Sequence, residues 1–232
     1  MSNGFYSPIP DDHGSTGGII CANTDDTQRI VGERQLALLR ELAAKTSDAR
    51  TFDQACTSSI QCLQTNLYDL PFAMIYLLDS DQQQIVLAGT SGIDRSHAAV
   101  PETVDLHSDS AWSLAEVLKT HKAILISDLG FYDSLPTGAW DRSPHQAIVV
   151  PIAPHGGTGK AGVLVIGLNP FRLLNDEYQG FIDLVAAQIT SSVATATAYE
   201  EERHRAEALA ELDRAKTTFF SNVSHEFCTP FS

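Results

Sequence analysis

The sequence has little positive charge and no long apolar run. Its 232 residues hold 15 Lys and Arg against 29 Asp and Glu, giving a formal net charge of −14. No basic cluster stands out, so nucleic acid and anionic membranes are poor partners. The longest apolar stretches have the length of strands, which argues against a membrane-spanning helix. The first 20 residues lack a basic start followed by an apolar run, so no secretory signal is expected.

Cysteine is also scarce. The four cysteines lie at Cys21, Cys56, Cys62 and Cys228, without the CxxC spacing of a metal site. We therefore predict no metal site and expect free thiols in a reducing compartment, which favours a cytoplasmic protein. Cys56 and Cys62 fall on one predicted helix and project from different faces, so we interpret them as packing residues.

The beginning of the chain is poor in apolar side chains. Residues 1–17 are rich in Gly, Ser, Pro and Asp, which predicts a disordered tail. Residues 18–23 read as one short buried strand, and a helical start follows at residues 24–29.

Apolar spacing then predicts two helices. The first spans about residues 28–45. The second begins after Thr51, whose side chain can cap it, with Gln54 placed as in a capping box. Its predicted inward face is Ala55, Ile60, Leu63 and Leu67.

The middle of the chain reads as an antiparallel sheet. A near-continuous apolar run at residues 72–79 is typical of a strand covered on both faces. A short helix is predicted at 111–118, and a long loop at 130–145. The other predicted strands are 85–90, 123–129, 147–152 and 161–168. The Gly-rich turn at 155–160 lacks the spacing of a phosphate-binding loop.

The last predicted element is a helix without a break over residues 176–227, which Asn175 can cap. Its length would be on the order of 75 Å, too long to pack on one domain. Its apolar spacing predicts a coiled-coil seam and a parallel homodimer; the alternative is a single solvated helix. The seam residues are Ile182, Val185, Ile189, Ser192, Ala196 and Tyr199, then Ala206, Leu209, Leu212, Phe219 and Val223.

The order of elements over residues 34–199 resembles a GAF domain. The resemblance implies an α+β fold, an α/β sandwich with an antiparallel sheet flanked by helices and followed by a long coiled-coil signalling helix. GAF domains bind cyclic nucleotides, bilins, haem or small metabolites beside the sheet. The resemblance would place Trp112, Tyr132, Trp140 and His145 near such a site, although loop aromatics often only cover a core. No cysteine matches a bilin attachment point, so we expect no covalent chromophore. No other cofactor is evident from the sequence, which does not identify a small-molecule ligand.

Residues 18–33 resemble the last strand of a PAS domain and its exit into a signalling helix. The matching residues are Asp25, Thr27 and Arg29, or Asp26 and Thr27 in a shifted register. The alternative is an ordinary strand-to-helix turn.

The end of the chain, FFSNVSHEFCTP at residues 219–230, resembles the phosphoacceptor box of sensor histidine kinases. It departs from the family pattern at Cys228 and Phe231. The resemblance implies that His225 is the phosphoacceptor, Glu226 the general base and Thr229 the position that holds water for dephosphorylation. Residues 200–232 would then be the signalling helix and the start of the phosphoacceptor, or dimerisation, segment.

The resemblance also implies partners: a histidine-kinase ATP-binding domain and a response-regulator receiver domain of a two-component phosphorelay. No part of the 232 residues resembles the ATP-binding domain, so we expect no autophosphorylation by the chain alone. The alternative function is a non-catalytic dimerisation fragment that regulates a full-length histidine kinase. A sulfoxide reductase of the GAF type needs reactive loop cysteines, which this sequence does not offer.

Overall fold

The computed structural model describes residues 3–10, 16–24, 26–79, 81–107, 112–152 and 161–227. The helices are α1 (Thr27–Thr46), α2 (Phe52–Leu63), α3 (Leu114–Thr120) and α4 (Asp176–Phe227). The strands are β1 (Asn3–Pro10), β2 (Thr16–Thr24), β3 (Phe72–Leu78), β4 (Gln84–Ser91), β5 (Thr103–Asp105), β6 (Ile124–Ile126), β7 (Ala147–Ile152) and β8 (Gly162–Gly167).

Strands β3 to β8 form one sheet in the order β5-β4-β3-β8-β7-β6. Every neighbouring pair is antiparallel. Helices flank this sheet, and the long helix α4 follows it. The predicted α+β fold class is therefore confirmed.

Strand β3 shows why the apolar run at its centre is continuous. Successive side chains of a strand point to opposite faces. Ala73, Ile75 and Leu77 belong to the core shared with the helices. Phe72, Met74 and Tyr76 belong to a second core, which α3 and the loops cover. Both faces of the sheet are thus covered at β3, as the sequence predicted for this strand.

Helices α1, α2 and α4 pack against one another. Thr51 caps α2, because its hydroxyl accepts a hydrogen bond from the Gln54 amide at 3.3 Å. The Gln54 side chain accepts one from the Arg50 amide at 3.0 Å. Ala55, Ile60 and Leu63 are buried, as predicted, whereas Leu67 lies past the helix and is half-buried.

Strands β1 and β2 form a separate antiparallel hairpin, with partners from Asn3↔Thr24 to Pro10↔Thr16. The prediction of a disordered tail is therefore wrong for Asn3–Pro10. That prediction rested on the shortage of apolar side chains. In the hairpin the order comes from backbone pairing with β2, to which Gly, Ser and Pro side chains give no clue.

Helix α4 is continuous over 52 residues, as the sequence predicted, and Asn175 caps it through a hydrogen bond from the Tyr178 amide at 3.0 Å. The first part of the predicted dimer seam is wrong. Five of its six residues lie in the core of this chain, since Ile182, Val185, Ile189, Ser192 and Ala196 are buried, whereas Tyr199 is exposed. A helix lying on its own sheet and a helix in a coiled coil need the same apolar spacing.

Helix α4 also has the length and composition of a membrane span over Asp176–Thr218. Much of its apolar surface packs on the sheet, as a core helix does. Beyond this core the character of the helix changes, since every side chain from Glu201 to Thr218 is exposed.

Two further differences concern short elements. Strand β5 lies between the predicted strand 85–90 and the predicted helix 111–118, where no strand was predicted, and it pairs with β4 from Gln84↔Asp105 to Val86↔Thr103. Helix α3 begins at Leu114, just after Ser113, whose φ of +50° is not helical.

Candidate functional site

The predicted phosphoacceptor lies in the last turn of α4. The backbone is helical through Phe227, so His225 and Glu226 are on the helix. Their side chains fall outside what the structure describes, as do Thr229 and the two departures at Cys228 and Phe231. The roles assigned to His225, Glu226 and Thr229 therefore stay predictions.

Two of the four predicted ligand contacts lie together on the loop-covered face of the sheet. Trp112 is 1% exposed, and its Nε1 donates a hydrogen bond to the Ala99 carbonyl at 2.9 Å. The Tyr132 ring stacks on it at 5.4 Å, and the edge of Phe72 approaches it at 6.3 Å. Burial raises the pKa of Tyr132. These rings fill space in the second core.

The other two predicted contacts, Trp140 and His145, have different surroundings. Trp140 Nε1 donates a hydrogen bond to the Tyr68 carbonyl at 2.8 Å, and its ring lies 5.3 Å from that of Phe171. His145 is exposed, and its carbonyl accepts a hydrogen bond from the Leu129 amide at 3.0 Å. The structure thus brings Trp112 and Tyr132 together, whereas Trp140 packs with Tyr68 and Phe171 and the side chain of His145 is exposed.

A buried carboxylate lies beside Trp140. Asp69 is 0% exposed and receives two hydrogen bonds from Arg34, Nε to Oδ2 at 2.9 Å and Nη2 to Oδ1 at 2.8 Å. Asn66 Nδ2 donates a third to Oδ2 at 2.9 Å. A buried charge is tolerated only when it is paired and hydrogen-bonded, and Asp69 meets both conditions.

A second arginine approaches the same carboxylate without bonding to it. Arg172 Nη1 is 3.8 Å from Asp69 Oδ1, beyond hydrogen-bond range. Its guanidinium lies over the Tyr178 ring, 4.6 Å from the centroid. Among the described residues, Nη1 is buried and has no hydrogen-bond partner. A buried donor without an acceptor is costly, so this arginine calls for an explanation.

Tight backbone packing holds the aromatic side of this region in place. Gly138 has φ +62°, and a Cβ there would lie 2.6 Å from the Leu67 carbonyl. The loop before β7 can therefore lie directly on the segment between α2 and β3, which positions Trp140. On the other side, the Tyr178 hydroxyl donates to the Asp69 carbonyl and accepts from the Asn169 amide at 3.1 Å. Burial raises the pKa of Tyr178.

The space between these groups is a cleft of about 420 Å³ beside the start of α1. We call it the α1 cleft and define it by Ile30, Arg34, Asp69, Trp140, Phe171 and Arg172. Sequence reasoning found Trp140 only. A sequence signal did exist for Asp69, because it is a single acidic residue next to the apolar segment 70–78.

The cysteines in the described core do not form a reactive site. Cys56 and Cys62 are both buried in α2, as packing residues should be. Burial, with a smaller contribution from Glu41, raises the pKa of the Cys62 thiol, which disfavours the thiolate. In the described ranges, no three His, Cys, Asp or Glu side chains are grouped to hold a metal ion.

The fold resembles that of several solved structures. A GAF domain structure from a phosphoenolpyruvate-protein phosphotransferase of Coxiella burnetii is 19% identical, with a TM-score of 0.53, covering 73% of this chain and 98% of that one. A putative GAF sensor protein from Burkholderia vietnamiensis is 15% identical, with a TM-score of 0.53, covering 71% and 91%. The reduced fRMsr of Staphylococcus aureus is 17% identical, with a TM-score of 0.51, covering 69% and 95%. At these identities the likeness shows the fold alone.

The family model of the GAF domain matches residues 49–194. The chain therefore belongs to the GAF domain family, and it carries a GAF sensory or regulatory domain. A search of curated proteins found no significant match.

Proposed function

We propose that this chain is the sensory GAF module of a two-component phosphorelay histidine kinase, which relays a signal through a dimeric helix to the phosphoacceptor His225. The observation that carries the proposal is the continuity of α4. One helix runs from Asp176 beside the sheet to Phe227, two residues beyond His225. A change in the packing of the GAF domain can therefore reach His225 as a rotation or shift of one rigid rod.

The arrangement of α1 supports a relay along one axis. Near the start of α1, Arg34 pairs with Asp69, and Arg172, just before α4, lies close to the same carboxylate. Past the end of α1, the Arg50 guanidinium lies 5.0 Å from the centre of the Tyr199 ring of α4. Helices α1 and α4 therefore run parallel, so a signal arriving through α1 and one leaving through α4 travel in the same direction.

Strand β2, with its exit into α1, fits a remnant of a PAS domain as the upstream element. It ends at Thr24, and α1 begins at Thr27, which agrees with a strand that exits into a signalling helix. In this proposal residues 18–33 are the remnant and linker, residues 34–199 the GAF domain, and residues 200–232 the signalling helix and phosphoacceptor segment.

The chemistry at the end of α4 would be carried by the sequence motif. A neutral imidazole nitrogen of His225 would attack the γ-phosphoryl group of ATP, and Glu226 would take the ring proton. The bond between the β- and γ-phosphates would break, and ADP would leave. ATP would be held by a separate histidine-kinase domain, and a response-regulator receiver domain would accept the phosphoryl group from His225. Thr229 would help to position water for dephosphorylation. We place the protein in the cytoplasm, where ATP and these partners are available.

The exposed part of α4 supports a homodimer. Leu209 and Leu212 are 66% and 68% exposed, and a lone helix of this length gains little stability in water. A parallel copy of the same helix would cover both leucines and would bring two phosphoacceptor segments together.

The test is phosphorylation in trans. The full chain with labelled ATP alone should take up no label. With a histidine-kinase ATP-binding domain added, acid-labile label should appear on the chain and should be lost in His225→Gln. The matched control is His204→Gln, an exposed histidine on the same helix, which should keep the label. Label that survives His225→Gln, or no label with a kinase domain that phosphorylates its own box, would contradict the proposal.

The exposed helix also favours a second candidate, a non-catalytic fragment that dimerises with a full-length histidine kinase and regulates it. The same seam that would bind a second copy would bind a kinase with matching spacing. Mixing the chain with such a kinase would then lower kinase autophosphorylation, and His225 would take up no label.

A further inference from the structure

We infer that the α1 cleft binds a small organic carboxylate with an aromatic or aliphatic body. This site lies on a different part of the molecule from the Trp112 and Tyr132 cluster. The inference does not depend on phosphotransfer at His225. It rests on the charges, the free donors and the apolar walls of the cleft.

The net charge of the cleft favours a ligand with a single negative charge. Among the residues that line it, two are cationic, Arg34 and Arg172, and one is anionic, Asp69. Arg34 is engaged with Asp69 through two hydrogen bonds. Arg172 is left with a positive charge that Asp69 shares but does not neutralise. A monoanion would balance it, whereas a phosphate dianion would leave the cleft with a net negative charge beside the buried Asp69.

The N–H donors of Arg172 favour a ligand with a planar hydrogen-bond acceptor. Its side chain is 19% exposed and borders the cleft. In the described part of the chain, no hydrogen bond from this guanidinium is seen, and Nη1 is buried without an acceptor. A guanidinium presents parallel N–H groups that match the two oxygens of a carboxylate. A modest shift of the side chain into the cleft would give these donors their acceptors.

The walls of the cleft call for an apolar body. The Trp140 ring is fixed by its hydrogen bond to the Tyr68 carbonyl and by its contact with Phe171. Phe171 is 59% exposed and Ile30 is 39% exposed. Apolar surface left in water in a concave site is typical of a ligand pocket, and about 420 Å³ lies in the usual range for small ligands.

The bound carboxylate would connect three parts of the fold. Ile30 and Arg34 belong to α1, Trp140 to the loop before β7, and Arg172 to the segment between β8 and α4. Its binding would therefore couple the start of α1 to the start of α4.

The test uses the full chain with two probe pairs, phenylacetate with phenylacetamide and hexanoate with hexanamide. Each amide has the shape of its carboxylate without the charge. Isothermal titration calorimetry should show binding of at least one carboxylate in the millimolar range or tighter, and its amide should bind about tenfold more weakly or worse. Arg172→Gln should weaken carboxylate binding by about tenfold or more.

The control is Arg95→Gln. Arg95 is exposed and pairs with Glu102 outside the cleft, so its replacement should leave the affinity unchanged. Trp140→Phe should abolish most of the tryptophan fluorescence change on binding, because the only other tryptophan is buried Trp112.

If Arg172→Gln does not fold, Arg172→Lys decides the question. Lysine keeps the charge but loses the two-pronged donor, so the affinity should fall severalfold. Three results would overturn the inference: no binding of either carboxylate, equal binding of the amide, or equal affinity in the Arg172 and Arg95 variants.

Discussion

The two halves of α4 belong to one helix but are stabilised in different ways. From Tyr178 to Ala196 most of its apolar side chains are buried against the sheet and its neighbouring helices, although Leu184 is exposed. From Glu201 to Thr218 every side chain is exposed. The first half is held by the domain core, and the second half has no tertiary contact in the described part of the chain to hold it.

The difference shows that the apolar spacing of a helix does not identify its partner. Ile189 and Leu209 both fit the same coiled-coil pattern, yet Ile189 is 0% exposed and Leu209 is 66% exposed. Within the described part of the chain, Ile189 is covered by other residues and Leu209 is not. The following tests probe this contrast.

The largest expected effect is on the core half. Ile189→Ala should lower the free energy of unfolding of the domain by about 2–5 kcal/mol, because it leaves a cavity in the core. Leu209→Ala, its match in the exposed half, should change that free energy by no more than about 0.5 kcal/mol. Urea unfolding followed by tryptophan fluorescence measures both. Similar losses in the two variants would erase the contrast.

The next effect concerns association. Leu209→Asp combined with Leu212→Asp should weaken the dimer by tenfold or more, because two carboxylates would be desolvated in each helix of the seam. The matched control is Ala210→Asp combined with Thr217→Asp, on the other side of the same exposed half. Sedimentation equilibrium measures the dissociation constant. A wild-type chain that is monomeric at micromolar concentration would contradict the predicted seam.

A smaller effect is the dependence of folding stability on pH, which we expect from the buried Tyr76 in the sheet. Burial raises the pKa of Tyr76 well above its ordinary value. The unfolded chain therefore loses this proton first, and stability is lost as the pH rises above about 10, the ordinary tyrosine pKa. Below that pH the contribution is fully present.

The test of this effect is Tyr76→Phe. Among the described residues, the Tyr76 hydroxyl has one hydrogen-bond partner, the Met74 sulfur at 3.8 Å. The variant should be about as stable as wild type at pH 7 and should lose less stability between pH 9 and 11, by urea unfolding at each pH. Parallel curves for the two proteins would show that Tyr76 does not contribute.

The smallest effect is on helix propensity. A Cβ at Gly180, within the core half of α4, would meet nothing within 4 Å. Gly180→Ala should therefore raise the free energy of unfolding by about 0.5–1 kcal/mol. Thr217→Ala gains helix propensity too, but in the exposed half, so the unfolding midpoint of the domain should not move. A shift of equal size in both variants would mean that the two halves unfold as one unit.

Periodicity was enough to predict most of the fold. The apolar run at Phe72–Leu78 and the helical spacing of α1 and α2 gave elements close to those in the structure. Strand β5 was missed because its three residues are ordered by pairing with β4. The local sequence of Thr103–Asp105 does not indicate that pairing. Strand β1 was missed for the same reason.

The candidate sites were less accessible to sequence reasoning. Trp112 falls in the helix predicted at 111–118 and Trp140 in the loop predicted at 130–145, and no local pattern indicates that they lie in different parts of the fold. The pairing of Arg34 with Asp69 joins residues 35 positions apart, and Arg172 is more distant still. Such a cluster depends on how the helices pack on the sheet, which the spacing of apolar residues does not specify.

The parallel course of α1 and α4 has a consequence for how such units can be joined. A chain that arrives at one end of the domain and departs from the other can be followed by a second unit along the same line, with no need for the backbone to turn around. Modules of this type can thus be strung together in series, and each added unit lengthens the rod without changing the fold of its neighbours.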